Sequence, residues 1–179
     1  MRKLFTLMGL VLVLIAFLPA SAVFAQQTTV FVVRHAEKDL SNPSEKNPAL
    51  NAAGLKRASD LLKTLKKENI TAIYSTNYLR TRQTAKPLAE KKGITVQDYA
   101  AADFSGLAAR IKSEYAGKSV LVVGHSNTVL KIVEALGGQP PVQELNEEKD
   151  YDYLFKVVLD PKGKAETHTT HFGKKARKG

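Results

Sequence analysis

The chain has 179 residues, with 27 Lys and Arg against 17 Asp and Glu and no cysteine. That length suffices for one domain with a proper core, and the lack of cysteine excludes disulfides, thiol catalysis, thiolate metal sites and a lipid-anchored cysteine. A net charge of +10 favours anionic partners, either phosphorylated small molecules or anionic envelope polymers, whereas the aromatics interleaved with basic residues that nucleic acid would want are missing, so no nucleic-acid partner is expected.

Arg2 and Lys3 open the chain, Leu4 to Leu18 is almost wholly apolar, and Pro19 to Ala25 supplies small residues. That order predicts a secretory signal peptide over residues 1–25, cut after Ala25 or, as second choice, Ala22. An uncleaved anchor would need roughly 20 apolar residues, and Pro19 interrupts the run. The expectation is therefore an exported protein, periplasmic or extracellular, with no transmembrane span after cleavage. Residues 26–179 would form a single catalytic domain.

Apolar, β-rich runs follow at Thr29–Val33, Thr71–Tyr74, Ile94–Val96, Val120–Val123, Tyr153–Leu159 and Glu166–Phe172. Helical patterns lie between the first four. Leu55, Ala58, Leu62 and Leu65 keep one face of a helix that Asn51 can cap. A second helix spans about Leu79 to Lys92, stopped by Gly93, a third about Phe104 to Tyr115, and a fourth Asn127 to Leu136, closed by Gly137-Gly138. Asp160-Pro161-Lys162-Gly163 reads as the turn of a terminal hairpin. Strands alternating with helices predict an α/β fold: a three-layer α/β/α sandwich with a mostly parallel central sheet and a C-terminal β-hairpin. The irregular stretch Glu37 to Leu50 leaves directly from Arg34-His35 and reads as a wall or lid. Lys174, Lys175, Arg177 and Lys178 make residues 173–179 a basic, solvated tail that could touch an anionic envelope electrostatically.

Ligands of open α/β sheets bind outside the carboxyl ends of the strands. Arg34-His35-Ala36 sits at one such end, Ser75 with Arg80-Thr81-Arg82-Gln83-Thr84-Ala85 follows another, and Val123-Gly124-His125-Ser126-Asn127 a third. These three stretches, in this order, resemble the signatures of the histidine phosphatase (phosphoglycerate mutase-like) superfamily, from about Thr28 to the end of the chain. The resemblance implies phosphoryl transfer through a phosphorylated histidine, with no metal or other cofactor.

The residue types suit that chemistry. A neutral imidazole can attack phosphorus, and adjacent positive charges keep it neutral, which makes His35, beside Arg34, the candidate nucleophile. Arginine forks match phosphate oxygens, so Arg34 and Arg80 would clamp the transferred group. His125, matching the family's second histidine, would donate to the same oxygens, and the free N–H groups of a helix beginning near Asn127 would favour an anion there. Arg82 is expected to face solvent or an acid. His168 and His171 are taken as non-catalytic, and Glu37 and Lys38 as loop charges, Lys38 near enough to touch substrate. Without the other motifs, Arg34 would read as a solvated strand end and His35 as a buried, backbone-bonded histidine.

A metal reading of the two histidines is disfavoured by surrounding arginines and the lack of further ligands at metal spacing. The leaving alkoxide needs a proton. Asp103 is the first choice of acid and Asp98 the second, with helix N-cap as the equal alternative for Asp103. The expected function is an exported, metal-independent phosphomonoesterase acting on a small phosphate ester. The rivals are a phosphoglycerate mutase or phosphohistidine-protein phosphatase activity and an inert binder of anionic envelope components.

Overall fold

The structure, a computed structural model, describes residues 26–174. The expected signal peptide and the end of the basic tail lie outside them. Strand β1 (Thr28–Arg34) is buried along both faces and enters the segment that carries His35. Helix α1 (Ala52–Leu65) starts at Asn51, whose side chain accepts the Gly54 N–H. Strand β2 (Ile70–Ser75) leads to α2 (Leu79–Lys92), which ends at Gly93 with φ of 66°, the left-handed geometry glycine adopts without a Cβ penalty. Then come β3 (Val96–Asp98), α3 (Phe104–Glu114), β4 (Ser119–Gly124), α4 (Val129–Ala135), β5 (Tyr153–Leu159) and β6 (Ala165–His171).

The sheet order is β3-β2-β4-β1-β5-β6. β3, β2, β4 and β1 run parallel, while β5 pairs antiparallel with β1 and forms a hairpin with β6. Side chains alternate across the pleat, so the inner strands feed two cores. Val30, Val32, Val120 and Val122 pack toward α3 and α4, with Leu107, Ile111, Ile132 and Val133. Phe31, Val33, Leu121 and Val123 pack toward α1 and α2, with Leu61, Leu65, Ala85 and Leu88. The result is the expected three-layer sandwich, with the carboxyl ends of β1, β2 and β4 adjacent.

Local departures from the sequence reading have identifiable causes. β3 starts at Val96 rather than Ile94, because the Ile94 N–H bonds Ala89 O to close α2. The inner face of α1 is Gly54, Arg57, Ala58, Leu61 and Leu65, leaving Leu55 exposed. Gly54 lies so close to the Glu37 carbonyl that a Cβ would collide with it, and Arg57 is buried against Glu37, so this side is claimed by the loop after β1. α4 starts at Val129, two residues later than expected, because the Thr128 and Val129 N–H groups both bond His125 O.

Candidate active site

Three strand ends supply the floor of a cleft of about 280 Å³, lined by Arg34, His35, Lys38, Tyr78, Arg80, Ala101, His125, Ser126, Asn127, Thr128 and Glu147. His35 continues β1 beyond its last residue, and its backbone N–H bonds Gly124 O on β4. The His35 and His125 rings meet edge to face, with centroids 5.4 Å apart.

Hydrogen bonds fix the protons on both rings. His35 Nδ1 lies 2.8 Å from Ala36 O. A carbonyl only accepts, so Nδ1 carries the proton and Nε2 keeps its lone pair. Burial, with the charges of Arg34, His125 and Arg80, pulls the His35 pKa down to about 3 despite the Ala36 bond. The imidazole is therefore neutral and nucleophilic near pH 7. His125 Nε2 lies 2.9 Å from Thr76 Oγ1. Thr81 Oγ1 donates to the carbonyls of Thr76 and Tyr78, so it receives the Thr76 hydroxyl proton, and Thr76 Oγ1 in turn accepts from His125. His125 thus carries its proton on Nε2. Burial first, then Arg80, Arg34 and Lys38, hold the His125 pKa at about 4.

The motif beginning at Arg80 distributes its side chains one task at a time. Arg80 lies over the Tyr78 ring at 4.4 Å, with its buried Nε unpartnered among the described residues. Thr81 continues the relay from His125, while Arg82 points outward to an ion pair with Asp98. Gln83 Oε1 accepts from Leu50 N, and Thr84 Oγ1 accepts from Ala36 N at 2.9 Å while donating to Arg80 O, which ties the exit of β1 to α2.

Arg34 departs from the expected phosphate fork. Its Nη1 donates to Asn146 O at 3.0 Å and, longer, to Asp150 O, its Nη2 donates to Glu147 O at 2.7 Å, and its guanidinium stacks 4.0 Å from the Tyr151 ring. Only the buried Nε lacks a partner among the described residues. Arg34 therefore fastens the segment 137–152, here called the strap, across the cleft, and offers a bound anion one N–H and its charge. The two orphaned guanidinium N–H groups, on Arg34 and Arg80, are donors that an oxyanion would satisfy.

Other expected residues fall elsewhere. Asp103 caps α3, its Oδ1 accepting the Gly106 N–H at 2.9 Å, and is exposed outside the lining, so its geometry is that of the cap and not of an acid facing substrate. Asp98 is held by Arg82. Asn127 does line the cleft, but the N–H groups following it are taken by His125 O, so the helix start is no free anion cradle. Lys38 also lines the cleft, whereas Glu37 is locked to Arg57, which donates further to Phe172 O and Lys174 O. His168 and His171 pair with Glu166 and Asp152, away from the lining residues. The sequence reading assigned no part to the strap, which brings Glu147 to the cleft and Tyr151 to within 6.2 Å of the His35 ring centroid. Its only local signal is turn chemistry, Asn146 and Asp150 bonding neighbouring backbone N–H groups. Among the described residues, no group of three or more His, Cys, Asp or Glu side chains is placed to share an ion, and no helix is long and apolar enough to cross a membrane.

Residues 30–103 match the histidine phosphatase superfamily (branch 1). No curated protein is significantly similar in sequence. Among solved structures, the chain resembles the protein histidine phosphatase SixA complexed with tungstate (TM-score 0.63, 22% identity, covering 80% of this chain and 96% of that one). It also resembles a mycobacterial glucosyl-3-phosphoglycerate phosphatase (0.63, 14%, 82% and 98%) and a phosphoglycerate mutase from Bacillus anthracis (0.60, 16%, 82% and 94%). At these identities the likeness shows the fold. The matching segment spans both the His35 and the Arg80 motifs, so residues 30–103 are similar to the histidine phosphatase superfamily, and the chain shares the fold of these structures.

Proposed function

We propose that this protein is an exported phosphatase that hydrolyses phosphomonoesters through a phosphohistidine on His35, without a metal. The observation that carries the reading is the state of His35: a buried, neutral imidazole whose Nδ1–H is held by Ala36 O, leaving Nε2 free beside two unpartnered arginine N–H groups. Phosphoryl transfer depends mainly on positioning and charge stabilisation. Arg80 and Arg34 supply positive charge and donors around the phosphorus, and Nε2 of His35 forms the new P–N bond as the ester P–O bond breaks. Water then releases phosphate from His35.

Metal independence is supported by the cationic surroundings of both histidines, which repel a second cation. Export, and with it the division into a signal peptide and a single domain 26–179, is supported by the order of residues 1–25. Phosphoglycerates and protein phosphohistidine are cytoplasmic substrates, which places mutase and protein phosphatase activities behind a phosphomonoesterase. Likeness to the SixA protein histidine phosphatase keeps phosphohistidine as the second reading.

The test is a panel of phosphate esters offered to the purified mature protein, with and without a chelator. Hydrolysis of phosphomonoesters at a rate indifferent to chelation is expected. Inhibition reversed by zinc or magnesium would overturn metal independence, phosphoryl transfer to an added phosphoglycerate instead of water would favour a mutase, and no turnover of any ester would leave an inert binder.

A further inference from the structure

Transfer of a phosphoryl group from an alcohol leaves an alkoxide, which needs a proton at the moment the P–O bond breaks. Glu147 supplies the one carboxyl group among the residues lining the cleft, Asp103 and Asp98 being engaged elsewhere. It comes from the strap, whose geometry is defined around it. The Glu147 carbonyl accepts from Arg34 Nη2, and Asn146 Oδ1 accepts from the N–H groups of Glu148 and Lys149. The Asn146 N–H in turn donates to Asp150 Oδ2 at 2.7 Å. The Glu147 side chain lines the cleft, and its Oε1 accepts from Ser126 Oγ at 3.0 Å. Ser126 directly follows His125, so the carboxyl group is held near one of the two histidines of the cleft, among the residues that line it.

We propose that Glu147 is the general acid for the leaving group and then the general base for water, and that the substrates are alkyl phosphomonoesters. The role rests on the phosphatase reading above and deepens it. In the first step His35 Nε2 bonds to phosphorus, the P–O bond breaks, and the Glu147 carboxyl proton passes to the departing oxygen. In the second, the Glu147 carboxylate takes a proton from the water whose oxygen attacks phosphorus. The P–N bond breaks, its electron pair returns to His35 Nε2, and phosphate leaves with the acid restored. A proton donor at this place matters most for a strongly basic alkoxide, so it equips the cleft for alkyl esters, which a cleft without an acid would turn over poorly.

Glu147→Gln in the mature protein removes the proton but keeps the size, the acceptor for Ser126 and the backbone carbonyl for Arg34. With glycerol phosphate, kcat/KM should fall by about 10²–10⁴-fold. With nitrophenyl phosphate, whose phenolate leaves unaided, kcat/KM should change by less than about tenfold under the same reasoning. The variant should also release a stoichiometric burst of nitrophenolate before a slower steady state, because phosphorylation of His35 survives and the water step does not. Equal losses of kcat/KM on both esters would reduce Glu147 to a positioning residue, and unchanged values on both, or the selective loss appearing in Asp103→Asn instead, would overturn the role. A selective loss with no burst would overturn the part played in the water step. Wild-type protein that turned over neither ester would sink the phosphatase reading itself, an outcome distinct from any of these.

Discussion

The floor of the cleft is fixed by buried side-chain hydroxyls and amides that reach for backbone groups, whereas the strap is fixed by its own backbone carbonyls converging on one guanidinium. On the floor, Thr84 holds Ala36, Gln83 holds Leu50, Thr128 holds the His125 N–H and the Thr76–Thr81 pair holds the His125 ring. Each of these bonds demands a particular side chain, and a buried polar group left without its partner costs about 1–3 kcal/mol. In the strap, Arg34 needs only three carbonyls, which any residue supplies, and Asn146 to Lys149 are exposed. On the proposed reading, phosphate capture belongs to the tightly bonded geometry of the floor. On the same reading, the handling of the departing alcohol belongs to the strap, where residues can change without disturbing the sheet.

The sharpest way to break this division is on the floor. Arg80→Ala removes charge-assisted bonds to a doubly charged group, roughly 1.5–3 kcal/mol for each such bond, so kcat/KM should fall by two orders of magnitude or more on every ester, irrespective of its leaving group. Arg82→Ala, which removes only an outward ion pair with Asp98, should cost little. Steady-state kinetics of the two variants side by side decide it; equal losses would mean that the pocket arginine has been misassigned.

The floor should also announce itself in the pH dependence of stability. His35 and His125 are held at about 3 and about 4, against 6.5 for free imidazole. Between about pH 6.5 and these values the unfolded chain binds protons that the folded chain refuses. Their contribution to stability is thus complete above pH 6.5 and is lost progressively as pH falls toward 3–4. Urea midpoints from pH 7 to pH 4.5 should drop more steeply for the wild type than for His35→Gln. Parallel slopes would show that His35 titrates normally.

The smallest effect is expected outside both regions. Asp103→Ala removes the cap of α3 and should lower stability by about 1 kcal/mol, with kcat/KM unchanged on alkyl and nitrophenyl phosphates alike. A large, leaving-group-dependent loss of activity would bring Asp103 back as the acid and weaken the case for the strap.

The same physical difference explains what could be read in the chain beforehand. Thr29–Val33 and Val120–Val123 are apolar on both faces and end just before Arg34-His35 and Gly124-His125, so the inner strands, the sheet and the strand-end positions of the two histidines were legible from pattern alone. Arg80 could be told from Arg82 only through the family resemblance, and the structure places the first in the cleft and the second on Asp98. Gly93 stopped α2 where expected, but the bond it makes possible, Ile94 N–H to Ala89 O, delayed β3. Asp103 before Phe104 carried a capping signal as strong as any catalytic one. Glu147 and Tyr151 were hidden because the strap has no periodicity, and its attachment to Arg34 runs through carbonyl groups that leave no mark on residue identity.

The account stands on His35 as the atom-bearing carrier of the phosphoryl group. Wild-type protein quenched during turnover of a ³²P-labelled phosphate ester should carry label that is labile in acid, stable in base and confined to the peptide containing His35, and His35→Ala should show neither label nor turnover. Label that survives acid or sits on another peptide, or turnover that persists in His35→Ala, would contradict it.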